Sequence, residues 1–301
     1  MAPLTQVGAF TAWEFAPLVS GVLMLFAVAY LAAVWLAARR HPVRPWPARR
    51  ILTFLLGLAT VAVATQGSPA VYDDVLLSAH MAQHLLLIMV APPLLILGRP
   101  VTLLLRVART PLRNHLKHIL RSRLVFALAW PPAAAALYAA VVIGTHLTPL
   151  MNLVLENAAV HEAEHGLYLV TGYLYFLPVI GTEPIRWRLP VFGRFLLLLV
   201  TMPVDTLVGV VLMLASHQLF PAYADPHRGG LVMLAGGDLI MTVLAVALAV
   251  SVVRDRGTPR RDIPGDLDAY NTYLASLDRH KVQSASGETG RRPFGSIPGR
   301  P

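Results

Sequence analysis

Seven times along this chain a run of about 20 residues is apolar with almost no charge. Every second connection between the runs is crowded with arginine. That pattern leaves few options. About 20 apolar residues is the length a helix needs to cross a hydrocarbon core, and a helix satisfies its own backbone there, where no water is available. The runs cover 15–38, 49–67, 75–97, 124–146, 158–180, 193–217 and 230–253. The expected fold is therefore all-α, a polytopic membrane protein with a seven-transmembrane-helix bundle over 15–253. With 56% hydrophobic and 14% charged residues, the chain is too apolar for a water-soluble domain.

The charges orient the bundle. Arg39, Arg40, Arg44, Arg49 and Arg50 separate runs one and two. Arg99, Arg106, Arg109, Arg113, Lys117, Arg121 and Arg123 separate three and four. Arg186, Arg188 and Arg194 separate five and six, and Arg254, Arg256, Arg260 and Arg261 follow run seven. The opposite side carries only Arg228. Basic loops stay in the cytoplasm, which places residues 1–14 outside and 254–301 inside. The tail 254–301, rich in Pro, Gly, Ser and Arg, reads as mostly disordered. The N-terminal MAPLTQVGAFTAWEF lacks the positive region of a cleaved signal, so the first run reads as a retained span. The net charge of +9 lies beside the spans, which suits a lipid bilayer and not nucleic acid. Segment 106–121 reads equally as an interfacial amphipathic helix or a plain loop.

Polar groups inside such runs are costly and usually functional. His80/His84 and His161/His165 each repeat at one helical turn, so both rings of a pair share a face. Both pairs fall in the outer halves of their spans. Seven of the eleven histidines lie at or near that face, with His146, His217 and His227 joining the two pairs. Cysteine is absent, which excludes thiolate metal sites and disulfides. Imidazole binds zinc, copper and iron, and thioether adds a preference for Cu(I). Met213 stands one turn before His217. The candidate metal set is His80, His84, His161, His165, His217, Met213, Asp205 and Asp238. The competing reading for the histidines is hydrogen bonding between helices. Asp205 and Asp238, inside runs six and seven, read either as ligand, histidine-orienting acceptor or proton carrier, or as interhelical hydrogen bonds.

His161-Glu162-Ala163-Glu164-His165 also matches H-E-x-x-H, which would suit a zinc-dependent membrane hydrolase with Glu162 as base. Asp238 is then a candidate third ligand. A haem scaffold with axial histidines is a further alternative. The second histidine pair is unexplained by a protease, and four histidines exceed the need of one haem.

Three blocks carry a family resemblance: HMAQHLLLIMVAPPLLILGRP at 80–100, HEAEHGLYLVTGYLYFLPVIGTEP at 161–184, and MPVDTLVGVVLMLASHQLFPAYA at 202–224 leading into GGLVMLAGGDL at 229–239. Over about 50–255 the chain resembles the CtaG family of membrane-embedded cytochrome c oxidase assembly factors. The resemblance implies a non-enzymatic factor of the bacterial cytoplasmic membrane that helps copper reach haem–copper oxidase. Its implied partners are oxidase subunits and periplasmic copper chaperones, and its implied cargo is copper. Family-like polar positions are His80, His84, His161, His165, Asp205, His217 and Asp238.

Overall fold

The structure, a computed structural model, describes residues 12–184, 187, 189–219 and 223–257, and the side chains of these except at 152, 155, 215–219 and 254–257. The chain divides into two units, Met1–Val250 and Ser251–Pro301. Of the second, only 251–257 is described. The expected tail from 258 onward and the N-terminal segment up to residue 11 lie outside the described residues.

Among the described residues all regular structure is helical. Among these same residues five stretches are long and apolar enough to cross a membrane: Pro17–Arg40, Ala48–Tyr72, Leu77–Val107, Val191–Leu214 and Pro226–Val253. The first is α1 (Pro17–Arg40), and the second joins α2 (Ala48–Gln66) to the short α3 (Ser68–Tyr72). The third is composite. It contains α4 (Leu77–Leu85), a π-helical turn over Leu86–Val90, α5 (Ala91–Leu97) and α6 (Pro100–Val107). The π turn has a local cause. Pro92 and Pro93 lack the N–H groups that Ile88 and Met89 carbonyls would otherwise accept, so the ladder widens there.

Run four departs from its expected single helix over 124–146. It is α8 (Arg123–Leu128), a break, and α9 (Pro131–His146). Pro131 and Pro132 cannot donate to the preceding turn, and Trp130 before them is held extended at φ −68°, ψ 123°. Between runs three and four, α7 (Thr110–Leu120) is helical and none of its residues is buried.

After α10 (Leu150–Glu156) comes α11 (Ala158–Ile180), which coincides with expected run five. The Asn157 side chain accepts from the N–H groups of Ala159 and Val160 and starts the helix. Gly181 ends it at φ +63°, a conformation that favours glycine. His161, Glu162, Glu164 and His165 in its first turns keep α11 out of the set that is membrane-like by composition. The last helices are α12 (Val191–Leu219) and α13 (Pro226–Gly257).

α11 is the central element, packing against α5, the π turn, α9, α10 and α12. Its closest approach is at Gly172, where a β-carbon would stand 2.1 Å from the Ile88 carbonyl oxygen. Any larger residue would push the helix off the π turn. Gly172 lies seven residues beyond His165, and Ile88 lies four beyond His84. Whole helical turns separate contact from histidine on both helices, so this contact brings the two pairs face to face.

A second tie joins the ends of the same helices. Glu183, just past α11, accepts from the N–H groups of Val101 and Thr102 at 3.0 Å each and from the Thr102 hydroxyl at 2.5 Å. It caps the first turn of α6 from 81 and 82 residues away in sequence, where an acidic group is favoured. Burial pushes its carboxyl up, and the Thr102 hydrogen bonds pull it back.

Candidate metal centre

The site is built where α4, α9 and α11 meet. A chain of hydrogen bonds sets the histidine tautomers. Thr145 donates its hydroxyl to the Val141 carbonyl at 2.9 Å, so the Tyr168 hydroxyl, 2.6 Å away, donates to Thr145. His146 Nδ1 is 2.8 Å from the Val142 carbonyl, which can only accept, so Nδ1 carries the proton. His146 Nε2 is therefore an acceptor and takes the Nδ1–H of His84 at 3.1 Å. What remains on His84 is the bare lone pair of Nε2. It faces the Glu164 carboxylate, with Oε2 at 3.4 Å, and makes no hydrogen bond. An imidazole lone pair set against a carboxylate oxygen, both buried, calls for a positive species between them. His84 is fully buried and Glu164 is 4% exposed. The ring of Tyr168 stacks on His84 at 4.2 Å and holds its plane.

The other histidines close around this point. The His80 ring is 4.3 Å from His84 and stacks on His161 at 5.2 Å, and His161 is 4.4 Å from His165. Both ring nitrogens of His80, both of His165 and Nε2 of His161 lack hydrogen-bond partners, as do both oxygens of Glu164. Two overlapping sets place three donor atoms within 4.8 Å of one another: His80, His161 and Glu164, and Asp73, His161 and His165. His161 belongs to both. Asp73 follows α3, with Oδ2 3.8 Å from His161 Nε2. Burial, with the charge of Asp74 adding to it, pushes the Asp73 carboxyl up to about 7. The donors are imidazole nitrogen and carboxylate oxygen, buried except at the partly exposed His161, a set that suits a borderline transition-metal ion.

Both histidine pairs of the sequence analysis thus meet in one cluster. Other candidates have different partners. Asp205 accepts from the Tyr138 hydroxyl at 3.0 Å through each oxygen, and Asp238 accepts from Thr206 at 3.0 Å. These are the interhelical bonds that the sequence left open for them. Met213 lies at the α12–α13 contact, its carbonyl 3.1 Å from His227 Nδ1 and its backbone N 2.5 Å from where a β-carbon on Gly230 would stand. The side chain of His217 lies outside those described. Glu162, the base required by a hydrolase, is 59% exposed and reaches only the edge of His165, at 3.6 Å.

The cluster also contains groups outside the candidate metal set: His146, which the sequence places only at the same face, Glu164 as a partner of the histidines, and Tyr168, Thr145 and Asp73. Part of this was readable. Residues 161, 164, 165 and 168 share one helical face, which selects Glu164 over Glu162. The roles of His146 and Asp73 depend on contacts across 62 and 88 residues of chain, and no local pattern signals them.

These features define the class: an all-helical chain of membrane-length helices built around a buried histidine–carboxylate cluster. More particularly, the chain belongs to the family described as cytochrome c oxidase caa3 assembly factor, whose model matches residues 28–255. Uncharacterized proteins of Mycobacterium bovis and Mycobacterium tuberculosis are each 32% identical to it over 92% of this chain, and one of Mycobacterium leprae is 28% identical over the same share. The chain spans 46% of the length of these curated relatives. No solved structure matches it.

Proposed function

We propose that this protein assists the building of haem–copper cytochrome c oxidase by holding a copper ion, as cargo, at the histidine cluster and passing it on. The observation that carries this reading is the gathering of His80, His84 and His161 at the Glu164 carboxylate and of His161 and His165 at Asp73, with ring nitrogens that lack hydrogen-bond partners. Family membership supplies the oxidase, and donor chemistry supports the metal. In this reading His146 orients His84, and Asp205 and Asp238 hold helices together. Two donor triads sharing His161 suit an ion that must leave again, since ligands can exchange one at a time. The chain crosses the bacterial cytoplasmic membrane seven times, with α8–α9 and α11 added to the five strongly apolar stretches. Its N-terminus is outside and the cluster lies toward that face, where oxidase subunits or copper chaperones would meet it.

Metal content, measured by mass spectrometry on untagged protein from copper-replete cells, tests this. Wild type retains copper, and the His84→Ala/His165→Ala double variant loses it together with oxidase activity in cells. Glu164→Gln lowers copper several-fold, and Glu162→Gln leaves it near wild type. Zinc in place of copper, with activity lost in Glu162→Gln, would return the reading to a hydrolase. The exposure of Glu162 argues against that outcome. The contacts between the rings of the two pairs leave no slot for a porphyrin between them.

A further inference from the structure

Between α1, α2, the composite third span and α11 runs an apolar groove of about 480 Å³. This is within the roughly 300–1,000 Å³ of small-molecule sites. Leu18, Val22 and Phe26 of α1 form one wall, and all three are also open to the surroundings. In a membrane those surroundings are lipid. Pro100 and Tyr173 line the groove as well. Its polar groups are few: Glu162 and His165, one turn apart on α11 beside Gly166, with the hydroxyls of Thr65 on α2 and Tyr173 two turns further along α11. His165 is 7% exposed, and neither of its ring nitrogens has a hydrogen-bond partner.

The lining constrains the occupant. It contains no lysine or arginine, and its one formal charge is the Glu162 carboxylate. A phosphate headgroup would meet repulsion there with no compensating cation. A neutral hydroxyl fits, because it can donate to the carboxylate or to a bare imidazole nitrogen. One trough accepts one tail, which disfavours two-chain lipids. Beside His165, Gly166 leaves open space, since a β-carbon there would meet nothing within 4 Å, and this space can take a ring. We infer that the groove binds an isoprenoid quinol, with its ring hydroxyl at His165 and Glu162 and its tail along α1. This inference does not depend on the copper reading.

The test uses the full chain in phosphatidylcholine nanodiscs, free of metal, with a ubiquinol carrying two isoprene units as probe. Bound quinol is quantified by chromatography after separation from free ligand. Wild type binds saturably. Gly166→Phe, whose β-carbon meets nothing within 4 Å, directs a ring into the groove and weakens binding by about tenfold or more. Gly21→Phe, on α1 and equally unobstructed but outside the lining, binds as wild type does. If Gly166→Phe does not fold, Val22→Trp on the opposite wall serves the same purpose. His165→Gln weakens binding while leaving the groove open. Absence of saturable binding, equal binding by the Gly166 and Gly21 variants, or displacement of the quinol by diacylglycerol at matched concentration would each overturn the assignment. Copper content, measured on separate preparations from copper-replete cells, is an independent readout, so loss of either reading leaves the other standing.

Discussion

His146 shows how much a single residue outside the two obvious pairs can decide. Its Nδ1–H is committed to its own helix backbone, which makes Nε2 an acceptor and forces the proton of His84 onto Nδ1. The Nε2 of His84, which faces Glu164, is therefore left bare. Partners that orient a ligating histidine in this way typically contribute about 10–100-fold in affinity. His146→Ala is expected to weaken copper binding by about that factor in a competition titration, with helicity unchanged. Asp73 makes a prediction about pH. Its folded form prefers the proton, with a pKa of about 7 against an ordinary 3.8. Its contribution to stability is thus full below the ordinary value and is lost as pH rises through about 7. In metal-free protein, Asp73→Asn should match wild type near pH 4. It should exceed wild type by about 1–3 kcal/mol near pH 8, read as a difference in unfolding midpoint between the two proteins.

At the scale of elements, one contact sets the geometry of the centre. α11 can lie on the π turn only because residue 172 has no side chain, and the π turn exists because two prolines follow it. Overpacking a tight core contact ordinarily costs about 1–3 kcal/mol, and here the obstructing atom is a backbone oxygen that cannot rotate away. Gly172→Leu is expected to separate the two histidine pairs, losing copper and lowering the thermal midpoint. Gly144→Leu, on α9 where a β-carbon meets nothing within 4 Å, serves as the matched control and should retain both. Equal copper content in the two variants would show that the contact does not align the pairs.

For the whole molecule, the proposed topology is directly measurable because the chain contains no cysteine. Single cysteines can be introduced against a silent background. Asp74→Cys, exposed beside the cluster, should react with a membrane-impermeant maleimide in intact cells. Arg113→Cys, on exposed α7, should react only after permeabilisation. The reverse pattern would invert the bundle and place the cluster at the cytoplasmic face.

The apolar runs and their basic connections determined the helical class, because hydrocarbon length and backbone satisfaction act locally along the chain. One-turn spacing likewise determined that each histidine pair shares a face, and runs one, two, five, six and seven each correspond to one long helix. Tertiary structure decided the rest. The rotation of α4 against α11 follows from the Gly172–Ile88 approach, and periodicity within either helix says nothing about it. The same packing brought in Asp73 and His146 from distant segments and gave Asp205 to Tyr138. The break at Trp130–Pro131 was written in the sequence as adjacent prolines, yet hydropathy alone ran across it. Donor identity is a property of residues, but coordination is a property of atoms a few ångströms apart, and only the packed chain sets those distances.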